Sequence, residues 1–300
     1  GYAVSGHGYA PEGEIAQGEL PHPHPSRPLD GERGVIDGAL RECLIAGALC
    51  NDASLSREGQ HWKITGDPTE AALLVAARKG GLDEHTLRTL FPRRDELPFD
   101  AKRQFMATLH GGEDEGVIYV KGALERLLPR CIDQLGANGQ TVPVDGMAIE
   151  KAACAYAGQG MRVLLLARQD FNPGQNSALN ADAIEKLTLI GLVAMIDPPR
   201  KAVIGAIRNC HSAGIRVKMI TGDHAVTAQA IARQIGLSAE RALTGRELAL
   251  LDDVTDDLRG GLGRAINLEV HGTKGVETEL DFCWINCVHV TSLERCGVSV

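Results

Sequence analysis

Three hundred residues, at roughly 150 per domain, suggest about two domains, and 31 basic against 39 acidic side chains leave a net charge of -8. With 44% hydrophobic, 23% charged and 4% aromatic residues, the composition is globular, neither disordered nor fibrous, and the chain is long enough to bury a sizeable core. The acidic balance argues against the basic stripe of a nucleic-acid binder, and the longest apolar run, Leu187 to Ile196, falls far short of the ~20 residues of a membrane-spanning helix.

In chain order, residues 1–34 are turn-rich: Gly6, Gly8, Pro11, Gly13 and the run Pro21 to Pro25 leave room for short strands only. Ile36 to Cys50 has helical apolar spacing, ended by Asn51-Asp52. Trp62 to Ile64 reads as a strand, Asp67 to Lys79 as a helix closed by Gly80-Gly81, and Asp83 to Leu90 as a second helix. Arg94 to Phe99, Phe105 to His110 and Val117 to Val120 alternate as strands, and a helix follows Lys121-Gly122. Val144 to Gln159 is helical by period, and Arg162 to Arg168 reads as a buried strand. The pattern then changes. Leu187 to Ile196, ending in Asp197-Pro198-Pro199, and Ile215 to Ile220, ending in Thr221-Gly222-Asp223, read as strands. The helices Arg200 to Ala213 and His224 to Ile235 follow them, which is the spacing of a parallel α/β sheet. The polar segment 172–182 marks the expected boundary, and periodicity fades after about Gly260.

Eight cysteines, the first five scattered through apolar segments, suit reduced cytosolic thiols better than a disulfide framework. Cys283, Cys287, His289 and Cys296 fit no standard zinc spacing, and His22 and His24 read as a solvated loop. No charged-then-apolar leader opens the chain, which starts at Gly1 and so reads as processed or cut from something longer.

Several motifs allow two readings each. Asp67-Pro68-Thr69-Glu70 is a helix start, with Asp67 as N-cap, Pro68 at N1 and Glu70 reaching back as a capping box; otherwise Glu70 is a polar contact to a bound base or ribose. Phe99 is either a core aromatic or one that stacks on a purine. Lys121, at a strand end before Gly122, either snorkels at the surface or reaches a phosphate or base, with the glycine letting the ligand approach. Thr221-Gly222-Asp223 stands at a strand's carboxyl end and opens a helix, where open α/β sheets bind ligands and free N–H groups meet phosphate. Asp197 ends the neighbouring strand in the same way, so the two acidic ends make a Mg²⁺-phosphate crevice or a pair of turns and caps.

In their order, these stretches carry a family resemblance. YAVSGHGYAPEGEI (2–15), TGDPTEAALL (65–74), LPFDAKRQFMAT (97–108), YVKGALE (119–125), GMRVLLLA (160–167), IGLVAMIDPPR (190–200) and GIRVKMITGDHAVTAQAIARQIGL (214–237) resemble the cytosolic headpiece of type II, calcium-pump-like, cation-transporting P-type ATPases. The resemblance covers about residues 2–250. It implies an α/β chain: a nucleotide-binding domain over 1–175, an antiparallel sheet flanked by helices, then part of a haloacid-dehalogenase-like phosphorylation domain over 183–260, and a divergent tail over 261–300. It also implies ATP and Mg²⁺ as ligands. Glu70, Phe99, Arg103, Lys121, Gly122, Arg162 and Leu164 would line the ATP pocket, with Phe99 stacked on the base. Asp197, Thr221, Gly222 and Asp223 would meet the γ-phosphate and Mg²⁺.

The departures matter as much. The family's nucleophile is the Asp of an Asp-Lys-Thr-Gly-Thr motif, and no Asp-Lys-Thr, Asp-x-Asp or Gly-Asp-Gly-x-Asn-Asp occurs in this chain. No complete metal site is therefore expected here, and the chain alone is expected to be inactive. Gln104 stands where the pattern has a nucleotide-contacting Lys, a loss of roughly 1.5–3 kcal/mol if that contact was well made. Leu124 replaces a usual Pro. The expectation is an ATP-binding cytosolic fragment whose partners are the rest of a pump, its membrane helices and actuator domain, at the cytosolic face of a membrane, with no nucleic acid and no insertion by this chain itself. A stand-alone nucleotide-binding module is the alternative, and a soluble phosphatase is disfavoured by the missing nucleophile.

Overall fold

The computed structural model describes residues 1–6, 8–17, 38–112, 115–136, 138–171, 179–196, 201–215, 217, 219, 221, 225–237, 241–243, 265–267 and 288–291. In chain order the elements begin with β1 (Tyr2–Val4), β2 (Ile15–Gln17), α1 (Gly38–Leu49), β3 (Ser54–Glu58), β4 (His61–Thr65), α2 (Pro68–Lys79) and α3 (Glu84–Leu90). There follow β5 (Arg93–Asp100), β6 (Phe105–Gly111), β7 (Gly116–Gly122), α4 (Leu124–Leu127), β8 (Cys131–Leu135), β9 (Thr141–Pro143) and α5 (Gly146–Ala157). The last are β10 (Arg162–Phe171), β11 (Leu187–Met195), α6 (Lys201–Ser212), α7 (Ala225–Gln234), β12 (Arg241–Leu243), β13 (Ala265–Asn267) and β14 (Val288–Thr291). Two compact units form: Gly1–Ala153, Val163–Met195 and Trp284–Val300 in the first, Cys154–Arg162 and Ile196–Cys283 in the second.

The first unit is built on one sheet in the order β2-β1-β14-β11-β10-β7-β6-β5, with β8 parallel to the start of β11 and β9 antiparallel to β8. The ladders β5/β6, β6/β7 and β7/β10 are antiparallel. Side chains alternate across a strand, and in β6, β7 and β10 the alternation sorts them into two cores, to which β11 adds residues on both faces. Met106, Tyr119, Leu166, Ile190 and Val193 pack with Leu40, Leu44 and Leu74 of α1 and α2. Phe105, Val120, Leu165, Leu189 and Leu192 pack on the opposite face with Leu127, Ile149 and Ile184. Each such side chain, fully buried, contributes about 1.5–3 kcal/mol relative to exposure.

Covering both faces explains why β10 and β11 read as continuous apolar runs, and it also explains one difference from the expectation. The strand Leu187 to Ile196 is expected in the second domain's parallel sheet, after a boundary at 172–182. In the structure β11 is instead an interior strand of the first unit's sheet, with β10, β8 and β14 as neighbours. An interior strand of any sheet covered on both sides has the same apolar run, so the run itself does not say which sheet it joins. The hairpin partner β3 of β4 and the short β8 and β9 also lie outside the expected elements; β3 and β9 are mostly exposed and polar, and β8, CIDQL, is too short and mixed to show a clear alternation.

In the second unit α6 and α7 appear where expected. Ile207, Ala232, Ile235 and Leu237 form a small core with Val217 and Met219 against it. The expected strand 215–220 lies partly outside the described residues. In the tail, β13 pairs parallel with β12, while β14 pairs antiparallel with β1 and β11 of the first unit. Cys283, Cys287 and Cys296, like His22 and His24, lie outside the described residues. Cys43, Cys50, Cys131, Cys154 and Cys210 are free thiols.

Candidate functional site

The site starts at the head of α2. Asp67 caps the helix, its Oδ1 accepting from the amides of Thr69 at 2.8 Å and Glu70 at 3.3 Å, with Pro68 in the first turn. The cap half of the expected capping box is therefore present. Glu70 does not supply the other half. Its carboxylate turns to the sheet, where Oε1 lies 2.6 Å from Lys121 Nζ and Oε2 accepts from the Asp52 amide at 3.0 Å.

Lys121 belongs to β7, one residue before the strand's end, rather than to a loop after it. Its Cα partners are Met106 of β6 and Leu166 of β10, so it emerges on the face covered by α1 and α2. There the ammonium also donates to the Cys50 carbonyl at 2.5 Å. The side chains of Lys121 and Glu70 are 8% and 14% exposed, which rules out the snorkelling surface Lys. Cys50 lends its carbonyl, not its sulfur: burial pushes the thiol above its ordinary range, against the pull of the Lys121 charge.

Phe99, near the end of β5, is 63% exposed. The core reading fails, and an aromatic face stands free for stacking. The turn after it is tightly tied. Asp100 Oδ1 accepts from the amides of Lys102 at 2.9 Å and Arg103 at 3.0 Å, and the Arg103 amide, first among these, holds that carboxyl below its usual range. Arg103 Nη2 donates to the Pro98 carbonyl at 2.6 Å, so this guanidinium braces the Phe99 turn. Gln104 closes the turn in the left-handed region, φ 61°, and its Oε1 accepts from Arg126 Nε at 2.8 Å.

Gly122 has a reason of its own. A Cβ there would sit 2.4 Å from Phe105 Cβ and 2.5 Å from the Gln104 carbonyl oxygen. Close approach of β6 therefore demands the glycine whether or not a ligand comes near. Gly122→Ala is expected to cost about 1–3 kcal/mol of stability through overpacking, read as a lower urea-denaturation midpoint; an unchanged midpoint would show that β6 gives way freely. Leu164 packs against the α1/α2 core in the first unit, while Arg162, the first residue of β10, falls with the second.

A support system lies behind the pair, and the sequence reading misses it. The connector from α1 to β3 holds Cys50, Asn51 and Asp52. Asn51, fully buried, donates from Nδ2 to the carbonyls of Gly47 at 2.9 Å and Glu70 at 2.8 Å, and its Oδ1 accepts from the Ala53 amide at 2.9 Å. Arg88 and Arg93 reach the same connector from α3 and β5. The one available signal was Asn51-Asp52 directly after a helix, where Asn is suited to ending it; no spacing links Arg93 to that point.

For the second crevice, Thr221 is half-buried in the second unit, while Asp197, Gly222 and Asp223 lie outside the described residues. Among the described residues no group of acidic, His or Cys side chains is placed to hold a metal ion, and no helix is long and apolar enough to cross a membrane.

Residues 39–202 match the family described as P-type ATPase, cytoplasmic domain N. The chain is 45% identical over 258 residues to the cation-transporting ATPase pma1 of Synechocystis sp., covering 83% of this chain and 27% of that protein. It is 45% identical over 222 residues to the probable cation-transporting ATPase F of Mycobacterium tuberculosis, 72% of this chain and 24% of that protein. To the calcium-transporting ATPase 1 of Lactococcus lactis it is 39% identical over 263 residues, 85% of this chain and 29% of that protein. The chain thus spans between 24% and 29% of the length of these relatives, 27% of the first of them.

Proposed function

The chain belongs to the P-type cation-transporting ATPases, in the part that carries their cytoplasmic domain N, and from that premise we propose that its first unit binds ATP at the Glu70–Lys121 pair, with Phe99 stacked on the adenine. The observation that carries this reading is a lysine of β7 and a carboxylate of α2, both largely buried and 2.6 Å apart, beside a sheet whose β5 offers an aromatic ring 63% exposed. Lys121, with two of its donors on the Cys50 carbonyl and Glu70, has a third for an anionic or carbonyl acceptor, Glu70 accepts from a base amine or ribose hydroxyl, and an exposed π face suits a purine. Because the protein's net charge is -8, the anion is held by local groups such as Lys121 rather than by the overall field. Gln104, whose oxygen is engaged by Arg126, adds no cationic contact.

Titrating ATP by calorimetry against the wild type and Phe99→Ala tests the reading. Loss of the stacking face is expected to weaken binding by about 1–3 kcal/mol. Equal affinities would remove Phe99 from the pocket.

For the second unit we propose, on the resemblance, a partial haloacid-dehalogenase-like domain in which Asp197, Thr221, Gly222 and Asp223 face the γ-phosphate and Mg²⁺. Bound Mg²⁺ supplies charge neutralisation for phosphoryl transfer. In the longer protein that transfer would go to an aspartate of an Asp-Lys-Thr-Gly-Thr motif and drive cation movement, calcium being the candidate ion. Its partners would be the pump's membrane helices and actuator domain. Lacking that motif, this chain is proposed to bind ATP without forming the aspartyl phosphate.

A further inference from the structure

We propose that Arg93 is a positioning residue for the nucleotide site, acting on Glu70 and Lys121 through the connector between α1 and β3; this rests on the reading that ATP meets that pair. Arg93 leaves β5 with its side chain 26% exposed. Nη2 donates to the Asn51 carbonyl at 2.7 Å and the Leu49 carbonyl at 3.3 Å. Nη1 reaches Asp52 Oδ1 at 2.6 Å and Glu96 Oε2 at 2.7 Å. None of these bonds goes to Glu70 or Lys121.

The segment that Arg93 grips is the one that grips them. Cys50, between the two carbonyls held by Nη2, gives its own carbonyl to Lys121 Nζ at 2.5 Å. Asp52, held by Nη1, gives its amide to Glu70 Oε2 at 3.0 Å. One guanidinium thus sets two backbone groups that orient the lysine and the carboxylate. A fork is needed for this. Two nitrogens of a rigid plane address two carbonyls and two carboxylates together, whereas a lysine ammonium offers a single point charge on a flexible stem. Because β5 also carries Phe99, the same strand supplies the stacking ring and the brace for the polar end of the site.

A residue that merely ends α1 would have the same bonds, so the test must read coupling to Glu70. ATP is titrated by calorimetry into the full chain as wild type, Arg93→Lys, Glu70→Gln and the double variant. Positioning through Glu70 predicts that Arg93→Lys weakens ATP about fivefold when Glu70 is present and less than about twofold in the Glu70→Gln background, the non-additivity of residues in one network. Equal factors in both backgrounds overturn the positioning role and leave the site reading intact. If Glu70→Gln and Lys121→Met each bind ATP like the wild type, the site reading falls and the positioning role falls with it. Asp52→Asn is the second variant, should Arg93→Lys fail to fold. It removes only one charged partner of the fork, at a side chain 53% exposed, and the same background dependence is expected at a smaller factor.

Discussion

Lys121→Met is expected to abolish ATP binding in the calorimeter and to lower the unfolding free energy by about 3–5 kcal/mol, the cost of leaving one charge of a buried pair without its partner. Methionine keeps the unbranched stem out to the ε position and lacks only the terminal ammonium, so little packing is lost. What remains is the Glu70 carboxylate, 14% exposed, held among the described residues by the Asp52 amide at 3.0 Å, and a Cys50 carbonyl without its ammonium. Adding Glu70→Gln removes the stranded charge, so the double variant is expected to regain much of the stability and none of the ATP binding. Urea denaturation reads the first quantity and titration the second. A Lys121→Met protein that loses stability yet binds ATP normally would make the pair a structural strut and place the ligand elsewhere.

Stability is expected to fall by about 3 kcal/mol as pH drops from about 6.5 to about 4, through His110 alone. His110 is fully buried. Its Nδ1 lies 3.0 Å from the Phe91 carbonyl, which can only accept, and its Nε2 lies 2.8 Å from Thr108 Oγ1, which can donate. The neutral ring satisfies both partners. Burial, aided by the Arg93 and Arg88 charges, brings its pKa down to about 4, against the Phe91 carbonyl that favours the charged ring. The folded-state pKa thus lies below the unfolded one. Above pH 6.5 both states are neutral and the contribution is complete. Between 6.5 and 4 the unfolded chain binds a proton that the folded chain refuses, so stability is lost as pH falls. Carboxylates also titrate towards the acid end, so the measurement is the difference between wild type and His110→Gln in urea denaturation from pH 7 to 4. Glutamine keeps a donor and an acceptor but has no proton to bind. A difference that stays flat across that range would show that His110 titrates in the folded protein as it does in the unfolded one.

Much of the local structure was legible along the chain. Asp67 before Pro68 and an apolar run declares the start of α2, and the Asp67 cap is made as the residue order implies. The alternation in β6 and β7 gives strands, and the helical period gives α1, α5, α6 and α7. Glu70, Phe99 and Lys121 stood out as residues with two possible fates. What was not legible was which fate each had. Arg103 and Gly122, expected with the ATP contacts, hold the Pro98 carbonyl and make room for β6 in the structure. Asn51, Asp52 and Arg93 gave no comparable signal, because the bonds that tie them to Glu70, to Leu49 and to one another cross 18 to 44 positions of chain.

The order of residues was enough to set the elements, the apolar faces and the family resemblance, because propensity, capping and periodicity act over a few neighbours. Lateral partners were decided only by folding. A strand apolar on both faces pairs in any sheet covered on both sides, so β11 joined β10, β8 and β14 by tertiary packing. Likewise a lysine at a strand end becomes a buried member of an ion pair only when a helix start, a connector carbonyl and a strand arginine converge on it. That convergence costs desolvation which only simultaneous partners offset, so it belongs to the assembled site and not to any one segment of it.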